Sequence, residues 1–141
     1  MELIVHHLQV LKNYLINLDE PITIALQGNK LMTVEIETLN NSVIGVNVNT
    51  LGASRFLSLE VFVATISLLS ANIDHQAIKG NAMNGHLGDK LLPFNSVEGH
   101  VAKVVYGYQK GDIVFRRITP ISKILEISGV CSNGRGFLRL L

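Results

Sequence analysis

The chain has one cysteine, Cys131. A lone thiol builds neither an intrachain disulfide framework nor a thiolate zinc site of the finger or ribbon kind, and it points to a reducing compartment. Long apolar runs are missing too. None approaches the roughly 18 uninterrupted residues of a membrane span, and Met1-Glu2-Leu3 places an acid where a secretory leader carries basic residues. The expectation is a cytoplasmic protein that does not engage a membrane. Charge is scarce: 16% of the 141 residues are charged against 48% hydrophobic, which excludes general disorder and predicts a sizeable core. This length suits one domain, 1–141, with subregions 1–56 and 57–141. No internal repeat or low-complexity tract interrupts it.

Motifs that carry chemistry are absent as well. His6 and His7 are adjacent, so they cannot face one another as the i,i+4 pair of a metal-binding helix does. His75, His86 and His100 are far apart in sequence and no acidic-histidine motif accompanies them, so only folding could bring them together. Cys131 falls on an expected strand, where a thiol is buried and inert. Glu35 and Glu37 alternate with apolar residues and read as the wet side of a strand. The glycine-rich stretch between Lys79 and Lys90 lacks both the Gly-Lys-Ser/Thr ending of a P-loop and the spacing of a dinucleotide site, and it reads as a mobile surface loop. No catalytic residue, metal ligand or cofactor is therefore expected, and nothing marks the chain as an enzyme.

Charge is present, but it is unevenly placed. Residues 1–74 carry three basic side chains against seven acidic ones, a net of −4, while residues 75–141 carry nine against four, a net of +5. Such asymmetry suits a polyanion-facing end, although halves that attract each other give the same count.

Ile4, Leu8, Leu11, Leu15 and Leu18 recur at steps of three and four, predicting a helix over 2–18 with one apolar seam. That seam suits either the chain's own sheet, the commoner solution, or a partner helix in a homodimer. From Pro21 the period changes to two. Residues 22–26, 31–39 and 43–48, separated by Gly28-Asn29 and Asn40-Asn41, predict a three-stranded antiparallel meander. Helices follow over 58–70, apolar all round and therefore central, and over 97–106, capped by Asn95 or Ser96. Thr119-Pro120 starts another that Gly129 ends, and 130–141 form a terminal hairpin around Asn133-Gly134-Arg135-Gly136. The expected class is α+β: an N-terminal helix on a meander, then a helical part closed by a hairpin.

Helix, short strand near 76–79, two helices and a hairpin: over 58–141 this order of elements resembles winged-helix DNA-binding domains. The resemblance is one of order, without a diagnostic motif. It implies a recognition helix over 120–128 presenting Ser122, Lys123 and Glu126 to the major groove, with the hairpin tip as the wing. Arg116, Arg117, Lys123, Arg135 and Arg139 are then the nucleic-acid-binding residues. The long connection between the first two helices and the weakly basic recognition helix depart from that pattern. The function expected is a small non-enzymatic DNA-binding or DNA-associated protein using its basic C-terminal half. The alternative is a protein-interaction or immunity-type module that meets an acidic protein surface.

Overall fold

Helix α1 (Glu2–Ile16) leads into four strands, β1 (Ile22–Ala25), β2 (Leu31–Leu39), β3 (Ser42–Val48) and β4 (Phe56–Ser58). Then come α2 (Leu59–Ala71), β5 (Gln76–Ile78), α3 (Val97–Val104), α4 (Ile118–Ile127), β6 (Cys131–Asn133) and β7 (Phe137–Leu140). The computed structural model describes residues 2–141. The class is α+β, with one antiparallel sheet ordered β1-β2-β3-β4 and a second ordered β5-β7-β6.

The first sheet follows from its alternation. Met32 and Val34 on β2, Val46 and Val48 on β3 and Leu57 on β4 are all buried, while Glu35, Glu37 and Phe56 face outward. Asn40 and Asn41, with φ of 51° and 66°, make the tight turn that matches the twist of the β2–β3 hairpin. A meander of three strands is expected from the sequence, and the sheet has a fourth. Strand β4 pairs Leu57 with Val46, and at three residues it is too short to display a period of its own.

Two helices cover the inner face of this sheet. On α1, Leu11 and Leu15 are buried, with Ile4, Leu8 and Leu18 packed around them against α2 and β3. The seam is thus covered by the chain's own elements, which removes the ground for a homodimer through this helix. His7 fastens the same helix to the far end of the chain: Nδ1 lies 2.8 Å from the Leu3 carbonyl oxygen and Nε2 lies 2.9 Å from that of Leu141.

Helix α2 is central, as its composition requires. Val61, Phe62, Ile66 and Leu69 are fully buried, and the helix packs against α1, α3, β3, β5 and β7. One continuous cluster runs from Leu11 through these residues to Ile121, Leu125, Leu138 and Leu140. Ser58 stands at the N-cap of α2, yet its hydroxyl makes no capping bond. Ser96, by contrast, caps α3 by accepting from the Gly99 amide at 3.0 Å.

The stretch after β5 is more than a mobile loop. Asp89 organises it, its carboxylate accepting from the amides of His86 (2.8 Å), Leu91 (2.9 Å) and Leu92 (3.0 Å). These bonds hold its carboxyl below the usual carboxylate range, that from His86 most of all. Residues 105–117, between α3 and α4, close over it: Leu87 donates to Asp112 at 2.9 Å and His86 bridges Ile113. Between the two segments lies a small second core of Ala82, Leu87, Leu92, Ala102 and Val114. Among the described residues no helix is long and apolar enough to cross a membrane.

Truncating Leu15 to Ala should cost about 2–5 kcal/mol, the range for a fully buried leucine. Leu11→Asp with Leu15→Asp should unfold the chain. Urea denaturation with sedimentation checks this, and a well-folded double variant that has merely become smaller than the wild type would show the seam to be intermolecular.

Candidate nucleic-acid interface

Strands β6 and β7 are joined by Gly134-Arg135-Gly136, with the Gly134 amide donating to the Phe137 carbonyl at 3.0 Å. The Phe137 ring lies so close over Gly134 that a side chain there would collide with it, and Gly136 has a φ of 84°. These two glycines thrust Arg135 into solvent at the tip. The second sheet returns β7 between β6 and β5, pairing Ile78 with Phe137 and bonding the Lys79 amide to the Gly136 carbonyl at 2.8 Å. Lys79 is therefore carried to the base of the hairpin tip.

Lys79 also feels α4. Its ammonium is held below the ordinary lysine value, first by partial burial and then by the charge of Lys123, with Glu126 acting in the opposite sense. Lys123 and Glu126 form a pair one turn apart on α4, at 3.8 Å. Lys79 and Lys123 thus stand close enough for their charges to interact, while Arg135 projects from the tip beside which Lys79 is anchored. Lys79 joins the candidate residues only through the fold: its neighbour in space, Lys123, is distant in the chain and only the β5–β7 register brings its strand to the tip.

The other expected contacts are distributed differently. Ser122 is buried, its hydroxyl donating to the Thr119 carbonyl at 3.1 Å, so α4 presents only Thr119, Lys123, Glu126 and Ile127. Arg139 lies on the outward face of β7 between Gln76 and Ser132, whereas Leu138 and Leu140 turn inward to the core. It therefore projects from the face opposite the core side on which Ile121, Ile124 and Leu125 of α4 pack. Arg116 is exposed, with Nη1 3.1 Å from the Met83 sulfur.

Arg117 is only 7% exposed and is not a free surface cation. Its guanidinium carbon sits 3.7 Å from the centre of the Tyr106 ring and 4.8 Å from that of Phe115, and Nη1 donates to the Phe115 carbonyl at 3.3 Å. Nε is buried without a partner. Stacking between two rings suits a planar, weakly hydrated cation and explains how an arginine tolerates burial here.

Glu98 on α3 holds this region together. It is 1% exposed, and its two oxygens accept from the amides of Arg117 and Ile118, each at 2.9 Å. These amides belong to the first turn of α4, whose donors have no partners within the helix. The expected start at Thr119-Pro120 is thereby corrected: α4 begins at Ile118, the Thr119 hydroxyl caps nothing, and a carboxylate from another helix does the work. Burial pushes the Glu98 carboxyl up to about 7, against the opposing pull of the two amides and of the Arg117 and Arg116 charges.

The remaining candidates for chemistry stay apart. Cys131 is buried, which pushes its thiol up to about 12. His100 is half-buried and held below the ordinary histidine value, chiefly by burial and secondarily by Lys103. Among the described residues no three His, Cys, Asp or Glu side chains are grouped so as to hold a metal ion. Compared with known proteins, the chain matches no family model, no curated protein and no solved structure.

The Glu98 carboxyl titrates near 4.5 when unfolded and near 7 when folded, so the native state binds its proton more tightly. Its contribution to stability is complete below about pH 4.5 and is lost as pH rises through 7, by about 3 kcal/mol at most. Thermal or urea melts from pH 5 to pH 8 should show wild-type stability falling relative to that of Glu98→Gln, in which the lowered His100 leaves stability rising with pH. An equal slope in both would place the titration elsewhere.

Proposed function

We propose that the chain is a non-enzymatic, DNA-associated protein whose residues 59–140 form a winged-helix module. The observation that carries this is the strand order β5-β7-β6 threaded through α2, β5, α3, α4 and the hairpin. The returning hairpin inserts its second strand beside the strand that precedes α3. Element order alone does not require that arrangement, whereas a wing that projects beside α4 does.

Within this module Lys79, Lys123 and Arg135 are the contacts, and they serve the phosphate backbone. A guanidinium on a glycine-flanked tip can grip a phosphate with two parallel hydrogen bonds, while lysines act as point charges. Base reading is weak in this module, because α4 exposes four side chains and pairs its one lysine with Glu126. The protein binds duplexes with little regard to sequence. The Lys123–Glu126 pair leaves α4 without net charge, and that favours a second reading, an interaction module for an acidic protein surface.

Fluorescence-anisotropy titration of a duplex of arbitrary sequence at several salt concentrations separates the two. Three neutralised phosphates give a slope of log affinity against log salt of roughly −2.7, which Arg135→Ala or Lys79→Ala should each reduce by about 0.9. Arg139→Ala, on the opposite face of the small sheet, should leave the slope unchanged. No binding to duplex at low salt would overturn the DNA reading and leave the protein-interaction module.

A further inference from the structure

The start of α4 and the base of the hairpin tip are tied together through one residue. The Lys79 amide is bonded to the Gly136 carbonyl, and the Lys79 carbonyl in turn accepts from the Glu98 amide at 3.0 Å. At its other end, Glu98 accepts through its carboxylate from the amides of Arg117 and Ile118, which open α4. A short chain of hydrogen bonds therefore runs from the tip through Glu98 into the helix. Lys79, at the end of β5, and Lys123, on α4, stand on the elements it joins.

Glu98 is also the countercharge of this region. Arg117 and Arg116 face it from the lobe built of residues 79–96 and 105–117, and they are the nearby cations. Tyr106, from the same lobe, stays neutral: burial holds its hydroxyl above the usual tyrosine value against the pull of Arg117, and the Glu98 charge adds to this. On α3 itself, His100 lies two residues on and about 200° round the axis, where it shares a groove with Glu60 of α2. Lys103 lies over the Phe94 ring, and on α4 Lys123 and Glu126 offset one another.

The net of +5 over residues 75–141 counts Glu98 as ionised. In that form its carboxylate compensates the Arg117 guanidinium and the half-positive end of α4. Once protonated it leaves both without a countercharge, and the neutral acid keeps one good acceptor oxygen for two amides. Its carboxyl titrates at about 7, so both forms are present at neutral pH. Each proton taken up changes the field around α4 by a full charge, set in an interior that screens less than water does.

We infer that Glu98 makes duplex binding by this module acid-responsive: its carboxylate holds back the positive field of α4 and Arg117, and taking up a proton releases that field toward the phosphates. The inference rests on the DNA reading above and adds the regulation of the same site. Glu98 is buried, so it acts through α4 and Arg117 and touches no phosphate itself. Linkage requires the converse as well: a polyanion on the site favours the protonated acid, so bound duplex raises the pH at which Glu98 titrates.

The test uses the full chain and one fluorescent blunt duplex of arbitrary sequence, with affinities measured at low salt from pH 5.5 to pH 8 for wild type and for Glu98→Gln, whose side chain is neutral throughout. Every other titrating group is common to both proteins and cancels in the ratio of their affinities, as does any constant cost of the substitution. The ratio of Glu98→Gln to wild-type affinity should fall about threefold from pH 8 to pH 5.5, the scale of one partly screened charge, and less at raised salt. Should Glu98→Gln fail to fold, the wild type alone decides. The amide resonances of Arg117 and Ile118 report the Glu98 charge, and saturating duplex should move their titration midpoint up by about half a pH unit, the same threefold factor. A ratio that is constant or rises toward pH 5.5, or a midpoint that duplex does not move, overturns the inference and leaves the DNA reading standing. Binding by neither protein at any pH overturns both.

Discussion

Helix α2 is the wall that both halves of the molecule share. With Val61, Phe62, Ile66 and Leu69 all without solvent contact, it keeps only the narrow stripe of Glu60, Val63 and Ser67 toward water. Sheet β1–β4 and α1 must close over one side of it, and α3 with the β5–β7 sheet over the other. Separating the halves would expose several large apolar side chains, each contributing about 1.5–3 kcal/mol by its burial. The acidic N-terminal half and the basic C-terminal half are therefore held together by packing. The only salt bridge among the described residues lies within α4. The charge asymmetry is free to face outward because it is not needed to join the halves.

The second constraint is local. Residues 105–117 separate α3 from α4, too long a connection to fix the angle between the two helices by itself. Glu98 supplies that constraint by capping α4 from α3, and the small core under the lobe holds the long connection in place. A buried carboxylate bonded to two amides is costly to bury yet strict about geometry. Orientation of α4 is consequently fixed by a polar contact in which stability depends on pH. The aromatic stack about Arg117 serves the same end, filling the angle between the lobe and the start of α4.

The parts legible in the sequence are those whose cause is local. Leu11 and Leu15 lie on one face because a helix repeats every 3.6 residues, and Met32 and Val34 because a strand repeats every two. Asn40-Asn41 and Gly129 mark their turn and helix end through backbone conformations available to few residues. What was not legible depends on partners far away in the chain. Strand β4 exists because Leu57 meets Val46. The start of α4 moved two residues because Glu98, twenty positions from Ile118, outcompetes the hydroxyl of Thr119. Arg117 counts as a basic residue in any sum over the sequence, and only the rings of Tyr106 and Phe115 reveal that it faces inward.

This last point bears on how charge should be weighed in such a chain. A net of +5 over residues 75–141 includes a buried Arg117, an Arg139 on the far face of the small sheet and a Lys123 beside Glu126. What remains near the hairpin tip is small: Lys79 and Arg135, with Lys123 offset by its pairing with Glu126. A weak electrostatic footprint of this kind gives little affinity for duplex alone. A charge count over the sequence therefore overstates the footprint, because burial, pairing and the far face of a sheet each take a cation away from the surface that a polyanion would meet.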